Sequence, residues 1–257
     1  MSNKQELIAL FDADSFIYIA CHNKKDAPIK SLEDCIKHVD SLLNDILSNV
    51  GASSFLLFLT IGKCFRYDLD PDYKKSRIGK DKPEFFSEVR QHLLDKWKAL
   101  AFLSFEADDC CATVAKRFEN SVIVSADRDL LEREGTHYNC RTGEWVITTH
   151  EEAEYKFWGD CIEGQSGDSI QGLKGKGRSF VDQLFRDQPV DKYPELVFGA
   201  YCRYYKNSLI AIRELGKTYQ LLHIVDDIPD FPHVQPIPVQ LPELNLPDFN
   251  IQTTLDF

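Results

Sequence analysis

The chain has 257 residues, 43% of them hydrophobic and 12% aromatic, which excludes a disordered or fibrous protein and allows one large domain or two small ones. Its net charge of −11 argues against a polyanionic partner only until its distribution is considered. From Asp226 onward there are six acids and no Lys or Arg, so the preceding body carries 35 acidic against 30 basic residues; bound divalent cations would bring it close to neutral and leave basic patches intact.

In chain order, LIALF at 7–11 predicts a first strand and the amphipathic stretch 31–50 a helix. FLLFL at 55–59 predicts a second strand, 84–100 a further helix, SVIV at 121–124 a third strand and WVITT at 145–149 another. This alternation implies an α/β domain with a central, mostly parallel sheet. Past residue 160, glycines 164, 167, 172, 175 and 177 cluster, and helical patterns then run to about Ile224, implying a small helical subdomain. Prolines crowd the stretch from Pro229 to Pro247, predicting an extended polyproline-like tail over 229–257.

The eight cysteines form no C-x-x-C pair and no Cys/His metal spacing, and the adjacent Cys110 and Cys111 make poor disulfide partners, as expected of a protein in a reducing cytoplasm. No charged leader with an apolar stretch opens the sequence, and the longest apolar run, Phe55 to Leu59, is far too short to cross a membrane. The expectation is a soluble, unprocessed, cytoplasmic protein.

Acids fall where the predicted strands end. Asp12 follows LIALF, Glu106 follows AFLSF with Asp108 and Asp109 in the next helical turn, and Asp127 and Asp129 follow SVIVSA. In a parallel α/β sheet the carboxyl ends of the strands line the ligand crevice, so residues distant in sequence converge there. Two carboxylates about 5 Å apart repel by roughly 3 kcal/mol at an effective dielectric near 20, so a crevice holding six of them calls for a bound cation. Oxygen ligation without nearby His or Cys points to Mg2+ or Mn2+ rather than zinc, and two such ions about 4 Å apart suit phosphodiester hydrolysis by an activated water. Acids in a helix's first turn also complement its macrodipole, and aspartates after strands are common turn residues; only the combination of positions favours a metal centre.

With these residues the chain resembles the 5′ nucleases, the flap endonuclease and 5′-3′ exonuclease superfamily with its PIN-like fold, in its phage-type form, collinearly from about residue 7 to 225. FDADS is similar to the first-strand aspartate motif and gives Asp12 as a metal ligand. YKKSR resembles the base of the helical arch, with Tyr73, Lys74 and Arg77. EADD carries over Glu106, Asp108 and Asp109, and SADRDL carries over Asp127 and Asp129. GQSGDSIQGLKGKG at 164–177 aligns without gaps to the family's G-D-x-x-D-N-I-P-G-V-x-G-I-G element, whose second aspartate is Asp168 here.

The resemblance implies a PIN-like catalytic domain over 1–160 with an arch at about 73–100, and a helix-three-turn-helix subdomain over 161–228. It implies two Mg2+ or Mn2+ ions on Asp12, Glu106, Asp108, Asp109, Asp127, Asp129 and Asp168, and a K+ ion at the helix-three-turn-helix. Lys74 and Arg77, three apart on a predicted helix, would neutralise the charge developing on the phosphate, and Tyr73 would stack a terminal base. Lys75 and Lys80 would meet DNA along the arch. Gly172, Lys174, Gly175, Lys176, Gly177 and Arg178 would cradle duplex phosphates at a glycine turn and helix N-terminus. The implied substrate is branched or nicked duplex DNA with a 5′ end or flap, or an RNA primer paired to DNA, during replication. Two departures stand out: Gln165 replaces the first aspartate of the glycine element, and LTIG at 59–62 lacks the acid of the family's second strand.

The remaining motifs add little. GLKGKGRS at 172–179 nearly spells a nucleotide-binding P-loop, but Arg178 stands where lysine is required and no strand precedes it. The seven scattered histidines suggest no ligand set, and Trp97, Trp145 and Trp158 are expected in the core. The C-terminal IQTTLDF spaces Gln252, Leu255 and Phe257 like peptides that dock into sliding clamps, though a plain disordered end reads equally well. Alternatives to the nuclease are a structure-specific DNA-binding protein with weak or absent catalysis and a PIN-type ribonuclease.

Overall fold

The computed structural model describes residues 6–21 and 31–239. Strand β1 (Ile8–Asp12) feeds helix α1 (Asp14–Cys21), and α2 (Leu32–Val50) returns to β2 (Ser54–Phe58). The short β3 (Ile61–Cys64) and α3 (Arg66–Leu69) follow; after α4 (Phe86–Asp95) comes β4 (Leu103–Ser104), which pairs parallel with β3. Then come α5 (Ala107–Ala115), β5 (Ser121–Ser125), β6 (Gly135–Asn139), β7 (Glu144–Thr148) and α6 (His150–Glu163). The two-residue strands β8 (Gly164–Gln165) and β9 (Ile170–Gln171) pair antiparallel; α7 (Arg178–Phe185), α8 (Tyr193–Tyr205), α9 (Ser208–Leu222) and β10 (Ile237–Pro238) complete the described chain.

The main sheet runs β10-β2-β1-β5-β6-β7, with β2, β1, β5 and β6 parallel and an antiparallel strand at each edge. All five residues of β1 are buried, as expected for a central parallel strand covered on both faces. Alternation then sorts its side chains: Ala9 and Phe11 join Val39 and Leu43 of α2 and Val89 and Leu93 of α4, while Ile8 and Leu10 join Cys111 and Val114 of α5 and Ile224 and Ile228 beyond α9. The amphipathic α2 buries Cys35, Val39, Leu43, Ile46, Leu47 and Val50 along one stripe; the Ser31 side chain caps its start, and Gly51, at φ +66°, ends it in the left-handed region.

A second core joins α6, α7, α8 and α9 through Phe157, Cys161, Ile162, Val181, Phe185, Val197 and Leu221, and takes in Cys64 and Tyr73 from the first layer. Helix α6 therefore crosses the boundary expected at residue 160.

Three expectations are corrected. The helix read over 84–100 is shorter, α4 alone, and Val89 and Leu93 pack it into the core. The tail expected from 229 instead packs back as far as residue 239: Phe231 is buried with its ring 4.5 Å from Phe102, and β10 pairs with β2. Proline is compatible with such an edge strand, which explains how a Pro-rich sequence can dock. Trp145 is 48% exposed because β7 is an edge strand, whereas Trp97 lies in the core.

Candidate active site

The carboxyl ends of β1, β2 and β5 open onto a cleft of about 640 Å³ lined by seven acids: Asp12, Asp14, Glu106, Asp108, Asp127, Asp129 and Asp168. Lys74, Arg77, Lys82, Arg90 and Arg141 line it as well. Six of the predicted metal-site acids thus converge, and the structure adds Asp14, which sequence reading passed over. Its signal was the second acid of FDADS, two residues past Asp12, where α1 begins.

Asp12 ends β1 and accepts a 2.8 Å hydrogen bond from Ser125 Oγ, which in turn accepts from the Asp127 backbone N–H at 2.9 Å. One hydroxyl therefore ties the ends of β1 and β5. Burial, reinforced by Asp14 and Asp127, pushes the Asp12 carboxyl up to about 7. Burial also raises Asp14, although Thr60 N–H donates to it at 3.0 Å. Arg90 bridges the same corner, donating to Thr60 O at 2.7 Å and approaching Asp14 at 3.5 Å. The position that lacks the family's second-strand acid is therefore flanked by Asp14. Burial, Asp109 and Glu106 hold Asp108 well above the usual carboxylate range.

Asp109 does not reach the cleft. Fully buried, it takes a bidentate pair from Arg66 at 2.8 Å and 2.8 Å, and accepts from Glu106 N at 3.0 Å and Val225 N at 2.8 Å. Its four acceptor positions are filled within the protein, so its assignment as a metal ligand is withdrawn. Arg66, 2% exposed, also donates to Leu221 O and His223 O, and thereby joins EADD to the end of α9. No spacing in the sequence marks Arg66, because a buried guanidinium is defined by long-range partners.

Tyr73 is also corrected. It is 4% exposed and donates to Glu106 Oε2 at 2.7 Å, so its ring is not free to stack a base. Lys74, at φ +54°, ion-pairs with Glu106 and lies 3.6 Å from Asp168, and Arg77 pairs with Asp168. The two cations thus meet at the cleft, but on a three-residue 3-10 turn after a left-handed residue rather than along an α-helix. Burial works against the Glu106 charge, yet Lys74 and Arg66 hold it below the usual carboxylate range.

The YKKSR turn is stitched to the glycine element: Ser76 Oγ donates to Gly167 O at 2.5 Å, Ser76 N to Ser169 Oγ at 3.1 Å and Lys74 N to Asp168 O at 2.8 Å. Two of its glycines are required by contact. A Cβ on Gly172 would lie 2.2 Å from Ile162 O, and one on Gly164 2.4 Å from Gly172 N. Gly175, at φ +77°, makes the turn that precedes α7, with Gly177 at the α7 N-cap. Lys174, Gly175 and Gly177 are exposed, and Lys176 lies over the Phe180 ring at 4.3 Å. Arg178 instead turns back to Glu163 at 2.8 Å and Asp160 at 3.5 Å, and Gln165 Nε2 approaches Asp160 at 3.4 Å. Lys75 pairs with Asp72, and Lys80 is exposed outside the cleft lining. Gln252, Leu255 and Phe257 lie outside the described residues.

Among the described residues no three His, Cys, Asp or Glu side chains are already drawn together as a formed metal site. The donor set nonetheless fits a hard divalent cation, because Asp12, Asp14 and Asp108 are desolvated carboxylates crowded in one cleft and raised by one another or by neighbouring acids.

The family profile described as "5′-3′ exonuclease, N-terminal resolvase-like domain" matches residues 7–156. The chain belongs to this family. Its residues 7–156 contain every cleft acid except Asp168, and all four parallel strands of the main sheet. Among curated proteins, the exodeoxyribonuclease of Enterobacteria phage T3 is 26% identical over 197 residues, which cover 71% of this chain and 64% of that protein. The chain thus spans less than two thirds of that relative's length. In fold, this family member is similar to phage T5 5′-exonuclease bound to divalent zinc ions, with a TM-score of 0.66 and 18% identity over 86% of this chain and 89% of that one. It is also similar to a phage T5 flap endonuclease in a pseudo-enzyme–product complex with DNA and metal ions, with a TM-score of 0.60 and 17% identity over 86% and 100%. No helix among the described residues is long and apolar enough to cross a membrane.

Proposed function

We propose that the protein is a divalent-metal-dependent 5′ nuclease that hydrolyses phosphodiesters at 5′ ends or flaps of duplex DNA during replication. The observation that carries this reading is the convergence of Asp12, Asp14, Asp108 and Asp127 with Lys74 and Arg77 in one cleft of a chain from the 5′-3′ exonuclease family. Asp12, Asp14, Asp108 and Asp127, with Glu106, Asp129 and Asp168 around them, are the residues that would hold Mg2+ or Mn2+. Such an ion supplies a water of lowered pKa and Lewis-acid stabilisation of the phosphate.

The chain's own residues do the rest. Ser125 Oγ links the Asp12 carboxylate to the Asp127 backbone N–H, donating to the first and accepting from the second. Lys74 and Arg77, kept charged by Glu106 and Asp168, offer the cations that neutralise the phosphate as its charge grows. Tyr18, 44% exposed on the cleft beside Phe86, is the aromatic surface for a terminal base in place of Tyr73. The glycine turn at 172–177, with Lys174 and Lys176, receives duplex phosphates, and a K+ ion belongs to that turn in the same reading. RNA primers paired to DNA, a sliding clamp met by the C-terminal peptide, and the cytoplasm of a host cell complete the setting.

The test offers a 5′-end-labelled flap duplex, an RNA/DNA hybrid and single-stranded RNA with Mg2+, Mn2+ or EDTA. Cation-dependent release from the 5′ end of the duplex substrates is expected. Preferential cutting of single-stranded RNA would reassign the protein to ribonuclease chemistry. Binding without cleavage in either metal would leave only a junction-binding protein.

A further inference from the structure

The acids at and beside the cleft divide into two sets by what each one touches. Asp12, Asp108 and Asp127 have no cationic side chain within 4.0 Å among the described residues, and Asp14 has only the 3.5 Å approach of Arg90. On the other side every carboxylate is already paired. Lys156 Nζ lies 2.6 Å from Asp160 and 3.3 Å from Asp129; Asp168 is met by Arg77 and Lys74; Glu106 is met by Lys74 and Arg66.

Lys156 is held where it is. It projects from α6 one turn before Asp160, its side chain is 21% exposed, and its ammonium lies between an acid that lines the cleft and one that does not. Burial opposes its charge, but Asp160, Asp129 and Glu132 together hold it above the ordinary lysine range. The departure at Gln165 belongs to the same corner: where the family has an aspartate, this chain directs a neutral amide toward Asp160. An acid there would add a further carboxylate to a corner where Lys156 already serves Asp160 and Asp129 and Arg178 already serves Glu163 and Asp160, whereas an amide adds no charge.

We infer that the cleft is built for one tightly held divalent cation on the Asp12, Asp14, Asp108 and Asp127 set, and that the Lys156 ammonium takes the second cation's place between Asp129 and Asp160. The inference rests on reading the cleft as a metal centre and changes its stoichiometry. Lys156 meets Asp129 Oδ1 and Asp160 Oδ2, Arg77 meets Asp168 Oδ1 and Lys74 approaches Asp168 Oδ2, so a second cation at this corner would have to displace a cationic side chain from those oxygens. The fixed positive charge also repels any dication brought to that corner.

The experiment counts ions rather than turnover: Mn2+ titration of the full chain, followed by electron paramagnetic resonance and calorimetry. The wild type is expected to bind one Mn2+ tightly, with any second ion at least about a hundredfold weaker. Lys156→Gln combined with Gln165→Asp is expected to bring the second ion to within about tenfold of the first, while Lys156→Arg, which keeps the charge, retains one. A circular dichroism melt confirms that each variant is folded, and Lys156→Met with Gln165→Asp serves if the first combination is not. Two comparable ions on the wild type would overturn the stoichiometry and leave the metal centre standing. A second ion appearing equally in Lys156→Arg would show that the ammonium is not what excludes it. No Mn2+ bound at all would sink the metal-centre reading together with this inference.

Discussion

The Asp109 carboxylate and the Arg66 guanidinium form a buried pair with two 2.8 Å hydrogen bonds, and Arg66 also serves two backbone carbonyls at the end of α9. Removing one member strands the other charge in the core, so Arg66→Met is expected to cost about 3–5 kcal/mol in urea denaturation, and a loss below about 1 kcal/mol would refute the role. Glu132 is a different buried acid, 6% exposed, whose Oε1 accepts from Ile224 N at 2.5 Å. Burial pushes its carboxyl up from 4.5 to about 8, against the backbone hydrogen bond and Lys156. Its folded value exceeds the unfolded one, so the stability it contributes is complete below about pH 4.5 and is lost as pH climbs to about 8. Wild-type protein is therefore expected to lose stability on the order of a few kcal/mol between those limits, and Glu132→Gln to flatten that slope in denaturation series. An unchanged slope would place the titration elsewhere. At this scale EADD was legible as an acid cluster, but Asp108 in the cleft and Asp109 in the core are adjacent in sequence, and only the distant Arg66 and Val225 decide which is which.

At the scale of elements, apolar runs and period located β1, β2 and β5 to within a residue or two, because central parallel strands bury both faces and read as continuous hydrophobic stretches. The extent of the helix in the expected arch region was misread because basic residues at 74–82 and the helix after them look continuous in sequence. The chain instead makes a left-handed step at Lys74 and another at Phe85 before α4 begins. The glycine element was legible for the reason that also makes it testable: Gly172 packs where its Cβ would meet backbone at 2.2 Å. Gly172→Ala is expected to cost about 2–3 kcal/mol in thermal or urea unfolding, since backbone must shift. Gly175→Ala meets nothing within 4 Å and bears only the strain of its φ of +77°, about 1 kcal/mol. Equal costs at the two positions would show that the close packing of α6 against the turn is not what requires glycine.

Across the whole molecule, the cores on the two faces of the sheet and the core on α6 to α9 meet around the cleft, with YKKSR and the glycine element stitched between sheet and helices. The Pro-rich composition beyond Pro229 concealed that Phe231 and β10 pack against the sheet, on the two cores of its opposite faces, because the docking depends on a partner surface, Phe102 and the β2 edge, that local composition does not encode. Truncation after Pro247 is expected to leave basal nuclease turnover unchanged and to abolish any stimulation by a sliding clamp, measured on the same flap substrate. Stimulation that survives would reject the C-terminal peptide as the docking segment. The central claim, that the acids at the strand ends form a metal-dependent 5′ nuclease centre, is tested most directly by comparing wild type with Asp127→Ala on a 5′-labelled flap duplex in Mg2+. The account requires rapid cleavage by the wild type, none with EDTA, and a variant that still binds the duplex but has lost at least about a hundredfold in turnover. Turnover by Asp127→Ala at the wild-type rate would contradict it.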